Sequence, residues 1–184
     1  IDSGLRIDAH FSSADSNFNL VAKGSTVGFD YNKIQNFNIS LTGLKDSMSL
    51  KLTADVLKPE NGKKLEGIAL NSKFKNSHNY NRLTVESWGE KVKKASFTVN
   101  NEFNSFSEMT FSFLNSSFFL NDAFWKIADD NKIKLDSNTI EFYNLFVSYE
   151  QQQLAISGKA SSSIFDTLDI SVQEIDLEFI SSLL

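Results

Sequence analysis

The segment MSLKLTADV, residues 48–56, decides the fold of this chain. Apolar residues occupy every second position in it, and polar or charged residues lie between them. Successive side chains of a β-strand point to opposite faces of a sheet, so this pattern predicts a strand with one dry face and one wet face. The run of apolar residues is Met48, Leu50, Leu52, Ala54 and Val56, and the predicted wet residues are Lys51, Thr53 and Asp55.

The same alternation recurs about every ten residues, a spacing typical of an antiparallel all-β protein. Polar segments separate the runs, and short polar connections join antiparallel neighbours. The 17 Phe and single Pro among 184 residues also favour strands. The alternation predicts two separate strands at residues 18–22 and 27–31. The first residues of the apolar runs are Leu5, Phe18, Val27, Phe37, Met48, Ile68, Leu83, Ala95 and Met109.

Helical spacing of apolar residues occurs at the end of the chain, which predicts a short C-terminal helix after Asp176. Its apolar residues are Leu177, Ile180, Leu183 and Leu184. So little helix leaves no helical layer to cover the sheet. We therefore expect one all-β domain over residues 1–184, an antiparallel meander whose dry face meets a second sheet, folds on itself or meets something other than protein.

Composition excludes several classes of function. The net charge of -5 and pI near 5.1 argue against a nucleic-acid surface, which needs clustered Lys and Arg. The absence of Cys excludes disulfides, thiolate metal sites and cysteine nucleophiles. His10 and His78 are isolated, and residues 129–131 lack the Gly and terminal Glu of a calcium loop. We expect no enzymatic activity, no cofactor and no metal site.

No apolar run approaches the length of a membrane-spanning helix. The chain opens at Ile1 without a positively charged segment followed by an apolar one. We therefore expect it to be a segment of a longer exported protein.

The third quarter of the chain resembles the TamB family, the translocation and assembly module proteins related to AsmA. The motifs are the Trp-x-Ile step at residues 125–127, the paired runs at 140–142 and 145–147, the Ile-x-Gly strand at 156–158, and the Asp-Leu step at 176–177. The resemblance covers about residues 115–184 in motif and the rest of the chain in pattern.

This resemblance implies a sheet curled into an elongated open groove, apolar inside and polar outside. Family members are anchored in the inner membrane, cross the periplasm, and move lipid or support outer-membrane assembly together with an Omp85-type outer-membrane barrel. The implied partners of this segment are phospholipid acyl chains. The residues expected to line the groove are Phe97, Val99, Phe111, Phe113, Leu145, Val147, Leu154, Ile156, Leu168 and Ile170.

Two other classes stay open at this point. In a β-sandwich module that binds carbohydrate or protein, Trp88 and Trp125 are candidate sugar platforms, although a place in the core or at the edge of an apolar groove fits amphipathic Trp better. In a transmembrane barrel the dry face would point outwards, with aromatic girdles at the strand ends. The Phe residues lie in the middle of the runs as often as at the ends, which does not favour the barrel.

Overall fold

The computed structural model describes residues 4–29, 32–60, 62–89, 92–105 and 107–175. These residues form 13 β-strands and no helix, which confirms the predicted all-β class. The predicted C-terminal helix, with Asp176 to Leu184, lies outside the described residues. The strands are β1 Arg6–Ser12, β2 Asn17–Phe29, β3 Asn32–Leu44, β4 Ser47–Lys58, β5 Leu65–Lys75, β6 His78–Trp88, β7 Val92–Phe103, β8 Glu108–Leu120, β9 Ala123–Ile127, β10 Lys132–Asp136, β11 Thr139–Tyr149, β12 Gln152–Ala160 and β13 Leu168–Gln173.

All 13 strands belong to one sheet, in which each strand pairs with its neighbours in sequence, except that β9 and β10 do not pair with each other. Every pair is antiparallel, so the predicted meander is confirmed. The short strands β9 and β10 share one place, because both pair with β8 on one side and with β11 on the other.

The register joins the strands into one continuous apolar face. Residues directly opposite each other on paired strands point to the same side of a sheet. A row of directly opposed residues can be followed from β1 to β13 without a break. This row runs through Phe11, Phe18, Gly43, Met48, Phe74, Asn79, Asn101, Phe111, Ile133, Phe142, Gly158 and Leu168. We call the side that carries it the apolar face and the other side the polar face.

Exposure follows the predicted alternation in the first part of β4. Leu50 and Leu52 are half-buried and Ala54 is buried, whereas Lys51 and Asp55 are exposed. Thr53 is exposed as well. The predicted dry and wet residues of this segment are therefore confirmed.

A line of exposed residues crosses the middle of β2 to β7 and shifts the alternation by one position. We call this line the seam; its residues are Ser25, Asn36, Asp55, Gly67, Glu86 and Lys94. Three of them, on every second strand, have positive φ: Asn36 at 49°, Gly67 at 60° and Lys94 at 49°. The backbone turns at such a residue, so two consecutive side chains face the polar side.

The seam corrects two predictions made from strict alternation. Val56 pairs with the polar residues Gln35 and Glu66, so it lies on the polar face, and the next residue, Leu57, packs in the core instead. The two strands predicted at 18–22 and 27–31 are one strand, β2, which passes through the seam. Tyr31, the last residue of the second run, lies outside the described residues.

The strands of the described part of the chain form one sheet and no second sheet. No strand comes within 8 Å, between Cα atoms, of a strand to which it is not hydrogen-bonded. The chain exposes 12230 Å², whereas a compact protein of this mass exposes about 8,900 Å². The edge strands carry exposed apolar side chains, among them Phe11 in β1 and Ile170 in β13, at 69% and 59% exposure. Among the described residues β1 and β13 each pair with one strand, so the sheet has two open edges and does not close on itself.

We predict that Gly67→Ala lowers the free energy of unfolding by at least ~1 kcal/mol, because an Ala at positive φ is strained. The new Cβ would also lie 2.4 Å from Cγ of Glu86. Gly28→Ala is the matched control, since its Cβ has no atom closer than 3.7 Å. Urea unfolding of both variants measures the difference, and equal stability of the two would contradict the role of the seam.

Candidate functional site

In the described strands, no charged residue with a register partner lies on the apolar face. Each such Asp, Glu, Lys, Arg and His is directly opposite a residue of the polar face. Beside the long row run two more, which consist almost entirely of apolar residues. One passes through Ala9, Leu20, Leu41, Leu50, Ser72, Asn81, Val99 and Phe113, and the other through Ile7, Ala22, Ile39, Leu52, Leu70, Leu83 and Phe97. The face is therefore suited to apolar ligands.

A chain of aromatic rings crosses this face from β8 to β11. The ring of Phe113 lies 6.5 Å, between centroids, from Phe111 and from Phe97, with edge-to-face geometry in both cases. Phe97 then contacts Phe118 at 6.2 Å. The chain continues through Trp125, which stacks on Phe118 at 6.5 Å and lies 5.8 Å from Tyr149. These contacts form a continuous aromatic surface on this part of the apolar face.

All ten residues predicted to line a groove lie on the apolar face, in two groups. The first group, on β7 and β8, is Phe97, Val99, Phe111 and Phe113. The second group, on β11 to β13, is Leu145, Val147, Leu154, Ile156, Leu168 and Ile170. Leu145, Ile156 and Ile170 are directly opposed, as are Val147 and Leu154. The long row connects the two groups through Ile133 and Phe142, which the sequence analysis did not include.

The place shared by β9 and β10 is held together by side chains. The amide of Asn131 accepts a hydrogen bond from the backbone N–H of Phe113 at 2.8 Å and donates one to the carbonyl of Phe113 at 2.9 Å. Oδ1 of Asp129 accepts from the backbone N–H of Asn115 at 2.5 Å. These bonds replace the strand pairing that the loop between β9 and β10 interrupts, so they keep Phe113 in position on the apolar face.

Four polar residues interrupt the apolar face at β5 to β7, and sequence reasoning missed them. We call them the amide cluster: Ser72, Asn79, Asn81 and Asn101. Asn79 and Asn81 alternate in the same phase as Leu83 and Val85 of β6. This period of two was the signal that could have placed the two Asn residues on the apolar face. Ser72 and Asn79 are buried, at 3% and 5% exposure.

The charged residues of the described strands lie on the polar face, where some of them form ion pairs. Nζ of Lys134 lies 3.0 Å from Oε1 of Glu108. The hydrogen bond from this ammonium lowers the pKa of Glu108 and raises the pKa of Lys134. Lys93 and Asp122 form a second pair at 2.9 Å. One side of the sheet is thus hydrated and charged while the other is apolar.

The residues considered for other chemistry are dispersed. His10 and His78 are exposed on different strands, and Nε2 of His78 lies 3.9 Å from Oε1 of Glu102. The described residues contain no group of three His, Cys, Asp or Glu side chains placed to hold a metal ion. Trp125 is enclosed at 1% exposure, as predicted for a core position, and Trp88 is 45% exposed near the end of β6.

We predict that Asn131→Ala lowers the free energy of unfolding by ~1–3 kcal/mol, because both backbone groups of Phe113 lose their partner in a buried position. Asn138→Ala, in the exposed turn between β10 and β11, is the control and changes stability by less than ~0.5 kcal/mol. Urea denaturation checks both values. A loss no larger than that of the control would show that the side-chain bridge is dispensable.

No helix in the described residues is long and apolar enough to cross a membrane. In comparisons with protein-family models, with curated proteins and with solved structures, nothing matches this chain. The resemblance to the TamB family therefore rests on the motifs of residues 115–184.

Proposed function

We propose that this chain is a segment of a periplasm-spanning protein that carries phospholipid between the inner and outer membranes and so serves outer-membrane assembly. The acyl chains lie on the apolar face. The observation that carries this proposal is the continuous row of uncharged, mostly apolar residues from β1 to β13 on one face of a single sheet.

The driving force is the hydrophobic effect. Each methylene group that leaves water for the apolar face contributes about 0.8 kcal/mol, before the loss of ligand freedom is deducted. The uncharged face adds no desolvation penalty for a buried charge. An acyl chain is therefore favoured over a sugar or an anionic ligand.

The dimensions of the face also fit acyl chains. Neighbouring strands lie about 4.8 Å apart, so the twelve strand positions of the sheet extend over about 50 Å. An acyl chain fills half of a hydrocarbon core about 30 Å thick. Several chains fit one after another, as movement of lipid along the sheet requires.

The proposal includes the remainder of a longer protein. In the full-length protein, other parts of the chain provide the inner-membrane anchor and the contact with an Omp85-type outer-membrane barrel. This segment supplies no catalysis. The second candidate, a β-sandwich module for carbohydrate or protein, requires a second sheet on the apolar face. The single sheet does not favour it.

We predict that a photo-crosslinking residue at Ile156 captures phospholipid, whereas one at Ser157 does not. The two positions are adjacent in β12 but lie on opposite faces, since Ile156 opposes Leu145 and Ile170 and Ser157 opposes Asp169. The purified chain is irradiated with vesicles of phosphatidylethanolamine, and captured lipid is identified by mass spectrometry. Equal capture at the two positions would contradict the proposal.

A charge on the apolar face should impair lipid binding. We predict that Ile156→Asp weakens binding of a fluorescent phospholipid at least tenfold, because the ligand would have to desolvate a carboxylate. Ser157→Asp adds the same charge on the exposed polar face and leaves binding within twofold. Far-UV circular dichroism establishes that both variants keep their strands. Similar affinities of the two variants would argue that lipid does not use this face.

A further inference from the structure

The amide cluster brings three side-chain amides and one hydroxyl together on the otherwise apolar face. Asn79 of β6 is directly opposite Asn101 of β7, and Asn81 of β6 is directly opposite Ser72 of β5. Oγ of Ser72 lies 2.6 Å from Oδ1 of Asn81 and 3.0 Å from Oδ1 of Asn79. The four side chains therefore form one connected patch.

The oxygen atoms of this patch are turned inwards. Oδ1 of Asn79 and Oδ1 of Asn81 both lie within hydrogen-bond distance of the Ser72 hydroxyl, which donates its single proton to one of them at a time, and Oδ1 of Asn101 is enclosed without a hydrogen-bond partner. The NH₂ groups of Asn79, Asn81 and Asn101 make no hydrogen bond to another described residue, and none of them is an enclosed atom. The NH₂ groups are thus the polar atoms of the cluster that keep some contact with solvent, and they are the donors that a ligand on this face would meet.

These donors restrict what can cover them. On the free face, water accepts their hydrogen bonds. A ligand that displaces the water with hydrocarbon leaves each donor without an acceptor, which weakens binding by about tenfold per donor. A tightly bound ligand must therefore carry acceptor oxygens at this point along its length.

The surroundings select a neutral acceptor. No charged side chain lies on this face in the described strands, so a phosphate or a free carboxylate would be buried without a cation. Apolar residues flank the cluster along its two rows: Phe74 and Phe111 on one, Leu50 and Val99 on the other. The fitting ligand has uncharged carbonyl oxygens with hydrocarbon on either side.

We propose that the amide cluster binds the ester carbonyl groups of a diacylglycerol-type lipid and sets the position of its glycerol backbone on the sheet; this inference rests on the proposed function. The NH₂ groups of Asn79, Asn81 and Asn101 donate to the ester oxygens, and the acyl chains extend over the apolar rows. The polar headgroup lies beyond the cluster, in water.

The test compares two lipids that differ in the ester carbonyls alone. Dioleoylglycerol has two of them, and the corresponding dialkyl ether of glycerol has none. The purified wild-type chain is expected to bind the diester at least about tenfold more tightly than the diether, as measured by displacement of a fluorescent apolar probe. The double variant Asn79→Leu, Asn101→Leu should lose most of this preference, because Asn81 alone remains as a donor.

Two further variants complete the experiment. Asn100→Leu is the matched control, because Asn100 adjoins Asn101 but is exposed on the polar face, and it should keep the preference for the diester. Asn81→Ala, at a half-buried position, replaces the double variant if the latter does not fold, and should reduce the preference.

The outcomes separate this inference from the function on which it rests. If the wild-type chain binds neither lipid, the proposed function fails and the inference with it. If it binds diester and diether equally, or if the double variant keeps the full preference of the wild-type chain, lipid binding stands and the role of the amide cluster is overturned.

Discussion

The antiparallel register is the constraint on which the rest of the structure depends. Because side chains alternate along each strand, a slip of one residue between two strands would move a whole set of apolar residues to the polar side. The row from Phe11 to Leu168 shows that the chain keeps one side apolar through twelve strand positions. Separation of charge from apolar surface follows from this alignment and requires no second layer.

The seam shows that a shift in the alternation has to occur at matching positions on neighbouring strands. A shift of the alternation on a single strand would turn half of that strand the wrong way relative to its neighbours. In β2 to β7 the shift occurs at directly opposed residues, so the register is the same on both sides of the seam. Asn36 also donates a hydrogen bond to Asp55 across the seam at 2.7 Å. The apolar residues on either side therefore remain on one face.

The open face is the feature that most limits what the protein does. A sheet that leaves apolar side chains at both of its edges and along one face gains stability when something apolar covers them. The amide cluster breaks this face at one place, and its unsatisfied donors select which covering is tolerated. Apolar area thus favours binding in general, while a few polar atoms define where a ligand can lie.

The sequence by itself determined the all-β class, the antiparallel meander and, in segments such as residues 50–55, which side of a strand is dry. These properties are local, because residues close together in the sequence determine the alternation of apolar residues and the turns between the runs. The same reasoning placed all ten predicted groove residues on one side, since each belongs to an alternating run. Their role in binding lipid stays a prediction.

Tertiary structure alone decided the rest. Val56 was assigned to the wrong side because the phase shift at Asp55 depends on the positive φ of Asn36 and Gly67 in the adjacent strands. The pairing of Asn131 with Phe113 and the grouping of Asn79 with Asn101 join residues about 20 positions apart. Whether the dry face meets a second sheet or stays open is likewise a property of the whole sheet, because burial is set by what lies above a face and not by the order of residues within it.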